Sequence, residues 1–167
     1  FSGAKGRAAK GDRARLLALA LAVLLLRGGE RVGLAGLAQP RGGRTQLMRL
    51  AARLSGVEDS ADYGAPEAEG MVSHGRAVFL SDFMGDLAAV EAGFARASDR
   101  GVKGAALMVL DPAEEEFPFD GRTIFESMGG GVRHETRKAG ELRERYLARL
   151  AERKDRMAAL SRAVGWH

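Results

Sequence analysis

Apolar positions recur along this chain in two periods. From Asp12, which can cap a helix, an almost unbroken apolar run extends from Leu16 to Leu26 and stops at Arg27-Gly28-Gly29. The run is apolar nearly all round, which predicts a heavily buried helix. Arg31 to Leu37 predicts a short strand and Gln39 to Gly43 a turn. Thr45 can cap a second helix, with Leu47, Leu50, Ala51 and Leu54 on one face. Residues 57–75 show no periodicity, carry Asp59, Asp62, Glu67 and Glu69, and read as an irregular loop. Arg76 to Asp82 is the clearest strand, and its continuous apolar stretch suits a strand covered on both faces. Asp86 then caps a helix to about Arg100, and Val102 to Leu110 is the next strand. Strand, helix, strand at this spacing predicts a parallel crossover unit. Glu114 to Gly121 reads as an acidic turn region. Arg122 to Phe125 and Val132 to Thr136 are set to pair as a hairpin across Gly129-Gly130-Gly131. Ala139 to Val164 predicts the longest helix, with Leu142, Tyr146, Leu150, Met157, Leu160 and Val164 inward. Glu141–Arg145 and Glu152–Arg156 are spaced as i,i+4 ion pairs on its wet side.

Length and composition narrow the class. The 167 residues fit one domain, and 46% hydrophobic content supports a core. Only 6% are aromatic, so that core rests on Leu, Ala and Val. Both ends read as cut, and the expectation is a piece of a longer protein. There is no cysteine, which excludes disulfides, zinc-thiolate sites and thiol nucleophiles and suits a cytoplasmic location. The eleven-residue apolar run is shorter than the about 20 residues a membrane-crossing helix needs. The charge of +4 comes from 21 Arg and 5 Lys with acidic residues interspersed throughout. Mixed signs point to solvated faces more than to a nucleic-acid surface.

Candidate chemistry concentrates on two carboxylates. Asp82 and Asp111 each follow an apolar strand at its carboxyl end. In an open parallel sheet, both would stand on the rim where ligands bind. Oxygen ligands there suit a hard cation such as magnesium. The plain alternatives are a helix cap at Asp82 and a turn at Asp111-Pro112. Gly6 to Asp12 has the glycine spacing of a phosphate loop but lacks the Lys-Ser/Thr that would follow the second glycine. His74, His134 and His167 are scattered, without metal-ligand spacing. The polar loop Asp120-Gly121-Arg122-Thr123 could face a partner, and equally could be a hairpin start.

Three stretches carry a family resemblance. They are Lys10 to Ala20 with Arg27 to Leu34, Ala77 to Phe83, and Val109 to Thr123. Together they look like the C-terminal half of bacterial proteins of the domain-of-unknown-function 58 family, which resembles a von Willebrand factor A domain. The resemblance implies an α/β fold: a doubly wound, mostly parallel, Rossmann-like sheet with a β-hairpin insertion and a long C-terminal helix. It implies that residues 1–167 form a single, partial domain of that type, lacking the first and last strands. It further implies a metal-ion-dependent adhesion site on the carboxyl rim. In that pattern Asp82 matches the aspartate after the fourth strand, Thr45 matches the threonine of the middle loop, and Ser81 and Asp111 stand beside them on the rim. The Asp-x-Ser-x-Ser segment of the pattern is absent. Magnesium or manganese is therefore expected in the parent protein and not in this piece. The implied function is a non-enzymatic protein-interaction module, acting with a MoxR-type AAA+ ATPase in protein assembly or activation. The competing readings are a magnesium-dependent phosphohydrolase using the rim carboxylates and a nucleic-acid binder using the Arg face of the last helix.

Overall fold

A computed structural model of the chain describes residues 8–56, 66, 70–126 and 133–167. It is a mixed helix-and-sheet structure in which three short strand pairs are joined by helices. The first helix, α1 (Lys10–Arg27), starts before Asp12, and Ala9 stands at its N-cap. It leads through Gly28 and Gly29 into β1 (Val32–Leu34). The chain turns at residues 35–37, where Leu37 N–H donates to Leu34 C=O at 3.0 Å, and returns antiparallel as β2 (Ala38–Arg41). The expected turn at Gln39 to Gly43 is therefore mostly strand. Pro40 is tolerated because a two-stranded hairpin leaves one side of each strand unpaired. The buried Gln46 ties α2 (Arg44–Ser55) to this hairpin, with its amide donating to Val32 C=O at 2.8 Å and Gln39 C=O at 3.0 Å. Gly43, not Thr45, holds the N-cap position of α2.

The centre of the fold is β3 (Arg76–Ser81) paired parallel with β4 (Lys103–Met108), in register from Arg76 opposite Lys103 to Ser81 opposite Met108. The crossover helix α3 (Leu87–Asp99) is capped as expected by Asp86, whose carboxylate accepts from Ala88 and Ala89 N–H. Alternation along the strands sends Ala77, Phe79, Ala106 and Met108 toward α3 and the last helix, α5 (Arg143–Ala163). There they meet Val90, Phe94, Ala97, Val102, Met157 and Trp166. Phe94 is fully buried, and its ring centroid lies 5.2 Å from those of both Phe79 and Trp166. The Trp166 indole N–H donates to Val102 C=O at 3.0 Å, so the one tryptophan is satisfied inside the core. Beyond it, His167 N–H donates to Gly104 C=O at 3.0 Å and His167 C=O accepts from Ala106 N–H at 2.8 Å. That alternation is the hydrogen-bond pattern of a parallel neighbour on the far side of β4.

Between β4 and α5 the expected acidic turn contains a helix. Residues Pro112–Glu116 form α4, closed by a capping box in which Asp111 and Glu114 satisfy each other's backbone. The antiparallel pair β5 (Thr123–Glu126) and β6 (Arg133–Thr136) follows, as the pattern predicted. A 3-10 turn, Ala139–Leu142, precedes α5. On α5, Leu150 and Met157 are buried as read from the stripe. Arg156, expected to pair with Glu152 along its own helix, donates to Glu91 on α3 at 2.6 Å. Helix-to-helix packing brought a carboxylate closer than the local spacing did. The glycines 129–131 and most of the 57–75 loop lie outside the described residues; Pro66 and residues 70–75 have no regular structure.

The reading of α1 as heavily buried is corrected. Ala22 is its one buried residue, while Leu16 and Leu24 are 61% and 66% exposed. Apolar content states what a helix could bury; neighbouring elements decide what it does bury. Here α1 approaches α2, β1 and β3; Leu17 and Leu25 also face outward, while Leu19, Leu21 and Leu26 are partly buried. Val78 and Leu107, which alternate away from the core on β3 and β4, are 42% and 40% exposed, so this parallel pair is not covered on both faces. No helix among the described residues is long and apolar enough to cross a membrane.

Candidate functional site

Parallel pairing puts the carboxyl ends of β3 and β4 on one rim. Asp82 directly follows β3, and Asp111 follows β4 after Val109 and Leu110. The turn after β3 is tightly bent, because Phe83 sits at φ 53°, in the left-handed region that favours glycine. Two side chains hold that turn from below. Ser81 Oγ accepts from Phe83 N–H at 3.0 Å, and Asp82 Oδ1 accepts from Met84 N–H at 3.1 Å. The Phe83 ring, only 2% exposed, anchors the turn in the core. Left-handed strain in a non-glycine residue persists only where the surroundings over-determine it.

The other oxygen of Asp82 meets a residue that local pattern could not place there. Lys10 Nζ, from the first turn of α1, donates to Asp82 Oδ2 at 2.8 Å and to Glu114 Oε1 at 2.7 Å. Glu114 Oε2 in turn accepts from Asp111 N–H at 2.8 Å, and Asp111 Oδ1 accepts from Ala113 N–H at 2.8 Å. The two rim aspartates are thus joined through Lys10 and Glu114. Glu114 and Asp111 are buried, and the Asp82 side chain is about one-third exposed, at 32%. Burial pulls the Lys10 ammonium down, but the hydrogen bonds and charges of Asp82 and Glu114 outweigh it, so its pKa lies above the ordinary lysine value. Tyr146, on α5, is pushed up to about 12 by burial first and then by the negative charges of Glu114 and Asp82. Its ring packs on that of Phe117, centroid to centroid at 4.9 Å.

Both shifts have the same sign for stability. A group whose folded pKa is raised contributes stability that is present below its unfolded value and lost as pH rises through the folded one. Stability therefore falls as pH climbs from about 10 toward 12, with Tyr146 and Lys10 both contributing. The chain has two tyrosines, Tyr63 and Tyr146. In a phenolate absorbance titration, Tyr146→Phe is expected to remove a step at about 12. Loss of a step at the ordinary tyrosine value of about 10 instead would place Tyr146 outside the field of the rim carboxylates.

The rim can be tested as a seat for the cation that the resemblance implies. A hard divalent ion needs carboxylate lone pairs turned toward it at about 2.0–2.6 Å. Both oxygens of Asp82 and both of Glu114 already accept hydrogen bonds, and an ammonium stands between the two groups. Thr45 is an exposed side chain in the first turn of α2. Among the described residues, no group of three or more His, Asp or Glu gathers as metal ligands would. As arranged, this donor set does not fit a divalent ion.

The sequence reading named Asp82, Ser81 and Asp111 and did not name Lys10 and Glu114, which join the two aspartates, or Tyr146. Glu114 had a signal: Asp111-Pro112-Ala113-Glu114 is a capping-box pattern with proline at the first helical position. Lys10 had none, being 72 residues from Asp82 and 104 from Glu114.

The fold and rim define a mixed helix-and-sheet chain whose parallel strand pair presents a carboxylate–ammonium network at its carboxyl end. The family model described as Protein of unknown function DUF58 matches residues 2–156, and the chain belongs to that family. Neither the curated proteins nor the solved structures contain a match to it.

Proposed function

We propose that this chain is a non-enzymatic protein-interaction module with a von Willebrand factor A-like, doubly wound sheet, which binds its partner through the carboxyl rim. The partner is a MoxR-type AAA+ ATPase, and the pair acts in assembling or activating other proteins. Membership of the DUF58 family supports this reading. So does the order of β3, α3, β4 and α5, followed by the parallel hydrogen-bond pattern at His167.

The observation that carries the proposal is the state of the rim. Its carboxylates are locked to an ammonium and to backbone N–H groups, and the turn at Phe83 is pinned into the core. Acid–base or nucleophilic work needs a group in reach of substrate and able to exchange a proton. A partner surface needs the opposite, a rigid polar platform whose geometry is set before contact. Asp82, the partly exposed member, is the residue such a partner would touch. The phosphohydrolase reading requires the same oxygens to be open to a metal, and their engagement favours binding over turnover.

The test is direct association of the chain with the purified ATPase, followed by calorimetry. Asp82→Ala is expected to weaken binding about 10-fold or more, as loss of a central charged contact does. Equal affinity of native and variant chains would remove the rim from the interface. Absence of any association would remove the proposed partner.

A further inference from the structure

Lys10 is an unusual residue to find where it stands. It opens α1, and a cation at a helix N-terminus opposes the positive end of the helix dipole. It also gives up the rotamer freedom of a long side chain by being held at a fixed point. Only specific partners offset both costs, and the structure supplies two: Asp82 Oδ2 at 2.8 Å and Glu114 Oε1 at 2.7 Å. The three groups come from α1, the end of β3 and α4, so the ammonium joins three elements at one point. Glu114 is 4% exposed, too buried to ionise cheaply without a counter-charge.

We infer that Lys10 is the built-in cation of this rim. Its ammonium takes the place between Asp82 and Glu114 that a divalent ion would need, so recognition at the rim proceeds without magnesium or manganese. The claim concerns the ion at the rim and stands whether or not the ATPase is the partner. It has two parts that can fail separately: the native rim has no open divalent seat, and Lys10 compensates a carboxylate that is costly when left alone.

The experiment uses the whole chain in four forms: native, Asp82→Asn, Lys10→Met, and Lys10→Met with Glu114→Gln. Manganese is titrated into each by calorimetry and water-proton relaxation, and urea unfolding is followed with and without a chelator. The native chain is expected to show no saturable manganese binding and an unfolding midpoint indifferent to the chelator. Lys10→Met is expected to lower the midpoint, because it strands a buried carboxylate. Adding Glu114→Gln, which removes that charge and keeps the shape, is expected to recover part of the loss. Saturable manganese binding by the native chain that Asp82→Asn abolishes would overturn the inference. So would a double variant no more stable than Lys10→Met. If Lys10→Met does not fold, the native and Asp82→Asn titrations decide the metal question, and recovery of folding in the double variant decides the other.

Discussion

Phe94→Ala is expected to lower the unfolding free energy by about 3–5 kcal/mol, the range for deleting a buried aromatic ring. Phe94 is 0% exposed and lies at the centre of a ring cluster. Its centroid is 5.2 Å from Phe79 on β3, 5.2 Å from Trp166 after α5, and 6.2 Å from Phe83 in the rim turn. The alanine would leave a cavity that three elements must collapse into together, and a sheet backed by two helices yields little. For a domain of this size the loss corresponds to a fall in Tm of roughly 6–20 °C. Far-UV circular dichroism gives the melt, and Trp166 fluorescence reports the core directly. A cost below about 1 kcal/mol, ordinary for a surface position, would mean that the ring cluster is not the core. The same variant should loosen the rim, because Phe83 is the anchor of the turn that carries Asp82.

Gly104→Ala is the second large effect, and it arises from backbone approach. A Cβ at Gly104 would stand 1.9 Å from Ala77 C=O oxygen and 3.2 Å from the Trp166 ring. The oxygen belongs to the neighbouring strand of the parallel pair, where Ala77 is opposite Gly104. It cannot swing aside as a side-chain tip would, so the strands must part or shift. Overpacking costs typically about 1–3 kcal/mol and occasionally more, and a clash with backbone belongs at the upper end. The expected result is a loss of about 3 kcal/mol in urea unfolding, with faster amide exchange along β3 and β4. Native-like stability would show that the two strands do not pair in this register. Because that pairing alone puts Asp82 and Asp111 on one rim, the variant also tests the frame of the site.

How much of this was legible beforehand follows from the range of each interaction. The strand at Arg76 to Ser81, the Asp86 cap of α3 and the β5–β6 pairing are local or nearly so, and periodicity with cap and turn chemistry revealed them. The hairpin of β1 and β2 was half read: Pro40 argued for a turn, and it is acceptable in a strand that has one neighbour among the described residues. Glu114 was legible as half of a capping box but passed for an acidic turn. Arg156 followed a spacing rule to Glu152, while packing of α3 against α5 offered Glu91 instead.

The sequence by itself determined the order of the main strands and helices, that Asp82 and Asp111 follow two strands, and the family to which the chain belongs. Those are properties of neighbours a few residues apart, or of pattern over the whole chain. Tertiary structure decided the rest: which leucines of α1 stay exposed, and what stands beside Asp82. An ammonium reaching across 72 and 104 residues leaves no trace in periodicity or composition. Its position is set by how α1 and α4 lie against the end of the sheet. Electrostatics act through space, and the space around Asp82 exists only once those elements have packed.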